Sequence, residues 1–195
     1  ARVSVANAGV KIVSSTEEFD LSFAESIPRP WFSSRILPAA GDPVYPEIMG
    51  AQLFNVGRYQ ESRVFLERAF EKKPDSEDTA TNLARVYLAL ADAPAVVKTL
   101  APFMTQEKTA KYDTSLLAAE ALKRTGEFGR AIELLDRAIV HYGVNAVLLN
   151  LAGECYAGLG KIKEALATFE KSLELSPDQP EVRKRVEELR KKAPL

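Results

Sequence analysis

The sequence predicts an all-α fold: a superhelical stack of four antiparallel helix pairs, with a ninth helix over the last open face. Three observations predict it. Small residues recur at Gly57, Ala91, Gly126 and Gly160, spaced 34, 35 and 34 residues apart. A second small set, Gly50, Ala84, Ala119 and Gly153, falls seven positions before each of these. The last stretch, 179–192, carries one apolar stripe of Val182, Val186 and Leu189 on an otherwise charged helix. A fixed period of this length marks a solenoid, because one helix pair cannot bury its apolar faces alone and must share a core with its neighbours.

The units follow in order. Helices are expected at 44–56 and 59–72, then 77–90 and 93–104, 112–124 and 128–141, and 146–158 and 162–174. In each pair the small residue at 50, 84, 119 or 153 lets two helices approach closely. Leu53, Tyr87, Leu122 and Tyr156 follow on the first helix, with Leu66, Leu100, Leu135 and Phe169 opposite on the second. Ser62, Val96, Ala131 and Ala165, and then Ala69, Phe103, Ala138 and Ser172, continue the second helix's inward face at helical spacing. The turn residue ends the first helix where a positive φ is cheap for glycine. Pro74, Gly143 and Pro177 close the first, third and fourth units. The second unit diverges: Pro94 opens its second helix, Phe103 replaces a small residue, and Lys108 stands where proline is expected. In the first unit, Pro43 and Pro46 make the start irregular. For the ninth helix, Asp178 and Glu181 have capping-box spacing, with Pro180 tolerated in the first turn. Its basic residues Arg183, Lys184, Arg185, Arg190, Lys191 and Lys192 interleave with Glu181, Glu187 and Glu188, the pattern of a solvated capping face.

Residues 1–42 stand outside the repeat. Val3, Val5, Val10 and Ile12 alternate in places, as do Phe19 to Phe23, so both stretches read as strands, with turns at 6–9 and 14–17. Two or three strands are too few to be stable alone, so the segment is expected to be the end of an upstream β-rich domain plus a proline-rich connector. The organisation is then 1–42, four units at 43–76, 77–111, 112–145 and 146–178, and a capping helix and tail at 179–195. Trp31 and Phe32, after the Pro-Arg-Pro connector, are expected to dock on Leu53 and Phe54 and cover the open end of the first unit, the alternative being that they anchor the upstream domain.

Composition excludes several functions. A net charge of −1 gives no general pull toward nucleic acid or anionic lipid. One cysteine, Cys155, and one histidine, His141, remove internal disulfides and most zinc sites. No apolar run reaches the ~20 residues that span a bilayer, and no signal-peptide pattern opens the chain. Neither a phosphate-cradling loop nor a nucleophile elbow is present, and no cofactor is expected. The best pair for catalysis is Glu120 with Glu154, at one repeat position on neighbouring helices, yet nothing near them signals a raised pKa. His141 reads as a helix-end residue and Cys155 as a small buried apolar one.

These residues resemble the tetratricopeptide repeat family, whose pattern is about 34 residues long with Gly-x-x-Tyr, Ala-x-x-x-Phe and a late Pro. The fourth unit carries it as Gly153-Glu154-Cys155-Tyr156, Ala165 to Phe169, and Pro177. The resemblance implies a right-handed superhelix whose concave groove is lined by the first helix of each pair. The groove positions are then Glu47, Ala51, Phe54 and Asn55 in unit one, and Asp78, Thr81, Arg85, Leu88 and Ala89 in unit two. Unit three supplies Asp113, Leu116, Glu120, Lys123 and Arg124, and unit four Val147, Asn150, Glu154 and Ala157. Apolar groups beside arginines suit an extended peptide or a helix. Some members clamp a C-terminal carboxylate with Asn and Lys, but here Ala51, Arg85, Glu120 and Glu154 hold the ninth positions, which disfavours that use. The order of strand-like ending, Ile-Pro-Arg-Pro-Trp and repeats also resembles the C-terminal part of exported bacterial proteins named for a GWxTD motif, although that motif is absent. It implies an envelope or extracellular setting; otherwise the chain is expected in the cytoplasm. The expected function is a non-catalytic scaffold for a protein or peptide. The alternatives are a self-association module forming homo-oligomers, or an accessory module of a larger enzyme.

Overall fold

The computed structural model describes residues 3–6, 9–14, 17–20, 45–105 and 110–192. Nine α-helices lie among them: α1 (Tyr45–Asn55), α2 (Tyr59–Lys72), α3 (Glu77–Ala89), α4 (Ala93–Leu100), α5 (Tyr112–Arg124), α6 (Phe128–Tyr142), α7 (Ala146–Gly158), α8 (Ile162–Leu175) and α9 (Pro180–Lys192). Consecutive helices pack pairwise along the chain, and the second helix of each pair also packs on the first helix of the next. The first helices α1, α3, α5 and α7 touch one another in series more closely than the second helices do, so theirs is the inner face of the stack.

The small residues act as the sequence predicts. A Cβ placed on Gly50 would overlap Leu66, and one on Gly153 would lie 2.8 Å from Phe169 Cε1. Glycine at these two places is therefore what seats the large side chain of the second helix against the first. Ala84 and Ala119 are fully buried at the same repeat position. Leu66, Leu100, Leu135 and Phe169 are all buried, as are Ser62, Val96, Ala131 and Ala165.

Each first helix ends in the same way. Gly57, Gly126 and Gly160 have φ of 79°, 82° and 73°, and Ala91 adopts φ 59° in the second unit. The N–H of each donates to a carbonyl three residues back, and the next N–H to one five back, as in Arg58 to Leu53 at 2.9 Å and Asp92 to Tyr87 at 2.8 Å. This is the Schellman arrangement, made four times. Ala91 makes it at a steric cost of ~1–2 kcal/mol that glycine avoids.

The sequence expectation differs from the structure at two helix limits. A helix was expected over 93–104, but α4 ends at Leu100 and tightens into a 3-10 turn at Ala101–Phe103. Pro102 has no N–H for the next helical hydrogen bond, so the α-helix cannot continue through it. The ninth helix starts at Pro180, with Gln179 before it, in place of a capping box opened by Asp178. Gln179 Nε2 donates to the carbonyls of Ser172 and Ser176 at 3.1 and 2.7 Å, tying the helix start to the end of α8.

Ahead of the helices, β1 (Val3–Ala6), β2 (Gly9–Ser14) and β3 (Glu17–Asp20) form an antiparallel sheet in chain order. Its register pairs Val3 with Ile12, Ala6 with Gly9, and Ser14 with Glu17. The third strand was expected from Phe19 to Phe23 and instead begins at Glu17; Leu21 to Phe23 lie outside the described residues, as do Trp31 and Phe32 with their expected docking.

Two substitutions test this account. Ala91→Gly relieves the left-handed alanine and is expected to stabilise the chain by ~1 kcal/mol. Gly153→Ala forces Phe169 out of its seat and is expected to cost ~1–3 kcal/mol. Urea unfolding followed by circular dichroism measures both.

Candidate functional site

The inner face is built by a stitch between successive units. The side chain at the fifth position of each unit faces the start of the next first helix. Thr79 Oγ1 donates to Glu47 at 3.2 Å, the Thr81 and Thr114 hydroxyls share a hydrogen bond at 2.9 Å, and Asn150 Nδ2 donates to Gln179 Oε1 at 2.6 Å. Leu116 holds the fifth position in unit three and packs on the central core instead. These contacts align the first helices and so place the charged side chains beside them.

The charges on this face neutralise one another. Arg85 pairs with Asp113 at 2.5 Å and Lys111 with Asp78 at 2.7 Å, joining α3 to the start of α5. Lys123 bridges Glu120 at 2.8 Å and also Glu154 on the next unit, while Arg124 pairs with Glu120 at 2.8 Å. The two carboxylates that invited a catalytic reading therefore hold a cation between them. Burial works to raise the Glu120 pKa, but hydrogen bonds from Lys123 and Arg124 outweigh it and hold the carboxyl below its usual range. Lys123 responds in the opposite sense: burial lowers it, and the bonds to Glu120 and Glu154 carry its pKa above the ordinary lysine value. A general acid needs a carboxyl shifted the other way.

Two clefts open on this face. One, of about 480 Å³, is lined by Asp78, Thr81, Asn82 and Arg85 of α3 and by Lys111 to Thr114. The other, of about 710 Å³, lies among α5, α7 and α9, with Phe128, Ala157, Gly158, Phe169 and Val182 as its apolar lining. Lys123, Asn150, Glu154, Glu181 and Arg185 complete that cleft. Of the predicted groove residues, the structure gathers Asp78, Thr81, Arg85 and Asp113 in the first cleft and Lys123, Asn150, Glu154 and Ala157 in the second. Glu120 and Arg124 adjoin the second through ion pairs. Phe54, Asn55, Leu88 and Leu116 line neither cleft. Phe54 packs on Tyr59 in a tilted ring pair with centroids 5.4 Å apart, and Leu88 and Leu116 are half-buried against the core, so they support the face from beneath.

Sequence reasoning missed Lys111, Gln179 and the α9 residues Glu181, Val182 and Arg185. The signal for the last three was the same stride continued. Val182, Val186 and Leu189 stand 34 residues after Leu148, Ala152 and Cys155, so α9 takes the place of the next first helix in the period and extends the inner face. Cys155 is buried in that row, and burial pushes its thiol up to about 11, unreactive as a nucleophile at neutral pH. His141 is exposed at the end of α6, with its ring against Tyr142.

Residues 116–180 match the tetratricopeptide repeat family profile. Solved structures agree on the fold over most of the chain. MamA residues 41 to the end, from Desulfovibrio magneticus RS-1, superposes with a TM-score of 0.71 at 14% identity, covering 79% of this chain and 87% of that one. Pseudomonas aeruginosa pilF superposes with a TM-score of 0.63 at 20% identity, covering 77% of this chain and 68% of that one. No curated protein matches the sequence significantly. Residues 116–180 thus carry tetratricopeptide repeats, and the solved structures share the solenoid fold over most of the chain. No helix among the described residues is long and apolar enough to cross a membrane.

The charge network sets a pH dependence. A carboxyl held below 4.5 in the folded chain takes up protons more readily once unfolded, so Glu120 contributes stability above about pH 4.5 that is lost as pH falls through its folded value. Lys123, raised above 10.5, contributes stability below that pH that is lost as pH rises through its folded value. In Lys123→Met the Glu120 carboxyl is expected to titrate at higher pH than in the wild type, with a smaller loss of stability on the acid side. NMR titration of Glu120 and acid unfolding of both proteins measure this.

Proposed function

We propose that this chain is a non-catalytic scaffold that binds a protein partner, as an extended peptide or a helix, along the inner face formed by α1, α3, α5 and α7. The observation that carries the reading is the pair of open clefts on that face, one polar and one with an apolar floor, spanning units two to four. Solenoids of this kind use the concave surface made by their stacked repeats for binding. A partner there meets charges already paired within the chain, so its binding energy comes from apolar side chains entering the clefts and from exchange of hydrogen bonds at the rim. Segment 1–42 is, on this reading, the end of an upstream β-rich domain to which the scaffold is attached.

A second reading is self-association, favoured by a specific surface. Of the seven large apolar residues exposed among those described, five (Val140, Tyr142, Val144, Val147 and Leu175) lie where α6 ends, α7 begins and α8 ends. Exposed apolar residues concentrated at one set of helix ends are what a self-association surface would use.

Two experiments separate the readings. Asp78 and Arg185 are exposed and line the first and second clefts, so Asp78→Arg/Arg185→Glu leaves the core intact, which circular dichroism checks. Affinity capture from the source lysate is expected to recover a partner with the wild type and lose it with the variant; identical recoveries, or none, would remove the groove reading. Self-association instead predicts a mass that rises with concentration in sedimentation and falls to that of a monomer in Val140→Asp/Val144→Asp.

A further inference from the structure

We propose that the second unit is held shut by the third, with the Arg137 side chain acting as a strap whose release opens α4 ahead of the rest of the solenoid. The second helix of this unit is the short one: α4 has 8 residues, against 14 in α2 and α8 and 15 in α6. Pro102 stops it, and the 3-10 turn that follows leaves the carbonyls of Met104 and Thr105 beyond the last helical turn. Arg137, on α6 of the next unit, reaches back to both. Its Nη1 donates to Thr105 O at 2.7 Å and its Nη2 to Met104 O at 3.2 Å. Tyr142, at the end of the same helix, donates from its hydroxyl to Ala110 O at 2.9 Å. The third unit thus supplies by side chain the donors for carbonyls that follow the truncated α4 and have no helical partner of their own.

The other end of α4 is weakened as well. Its turn uses Ala91 at φ 59° where the other three units use glycine. Stacked repeats have stability set by each unit and its neighbour interfaces, so a unit with a strained turn, a truncated helix and borrowed hydrogen bonds is the one that opens first. Val96, Leu100 and Phe103 are buried beneath α4. Opening uncovers them beside the cleft of about 570 Å³ that Met104, Leu134 and Arg137 help to line. This apolar surface is exposed only when the strap lets go.

Native-state hydrogen exchange on the full chain tests the strap. In the wild type the α4 amides are expected to exchange faster than those of α6. Arg137→Ala is expected to accelerate α4 about tenfold or more while α8 and α9 keep their wild-type rates. Arg137→Lys, which keeps the charge but loses the two-pronged donor, is expected to give a smaller acceleration in the same segment. Equal acceleration in every helix of Arg137→Ala, or wild-type exchange in α4, would overturn the proposal. So would a wild-type protein in which α4 and α6 open together in one global step, a measurement that needs no variant to fold.

Discussion

Everything in this solenoid depends on how closely the two helices of a unit approach. At Gly50 and Gly153 no side chain separates the first helix from Leu66 or Phe169 of the second, and at Ala84 and Ala119 only a methyl does. Close approach lets a large residue from one helix lie against the backbone of the other, where dispersion contacts are dense. It also sets where the second helix points when it leaves, and therefore where the next unit begins. The four left-handed turns do the complementary job of returning the chain in the same direction each time.

From that packing the inner face follows. Because successive first helices lie side by side, like positions stack, and alternating acids and bases meet across unit boundaries. Lys123 between Glu120 and Glu154 is the clearest case: two carboxylates at one repeat position would repel, and the cation between them turns the row into an attraction. These pairs are partly exposed, so each contributes little to stability. Their effect is to leave the face close to neutral overall, with local texture in place of a net field. On the proposed reading, recognition there would rest on shape and on the apolar floor around Phe128, Phe169 and Val182 more than on long-range attraction.

The repeat is least regular in unit two, and the irregularities compensate one another. Pro94 is favourable where it stands, behind the Asp92 side chain that accepts from the Ala95 N–H at 3.1 Å. Pro102 is not, and its consequence is carried by α6, whose Arg137 reaches across the boundary. A local defect in one unit has become a dependence on its neighbour.

Much of the architecture was legible in the sequence because the physics of a helix pair is local. A glycine at a turn, a small residue opposite a large one and a terminating proline each act within about 34 residues, and the period repeats them until they stand out. The helix pairs, the turn residues, the buried status of Cys155 and the crowding at Gly153 were all readable in this way. The sequence did not reveal that Leu88 and Leu116 sit against the core, that Lys123 divides Glu120 from Glu154, or that Gln179 ties α9 to α8. Those facts depend on the offset between neighbouring units, which sums small rotations from every pair and has no signature at any single residue. The sequence by itself determined what each unit is; the tertiary structure decided which side chains of different units meet, because that is settled by the angle at which whole units stack.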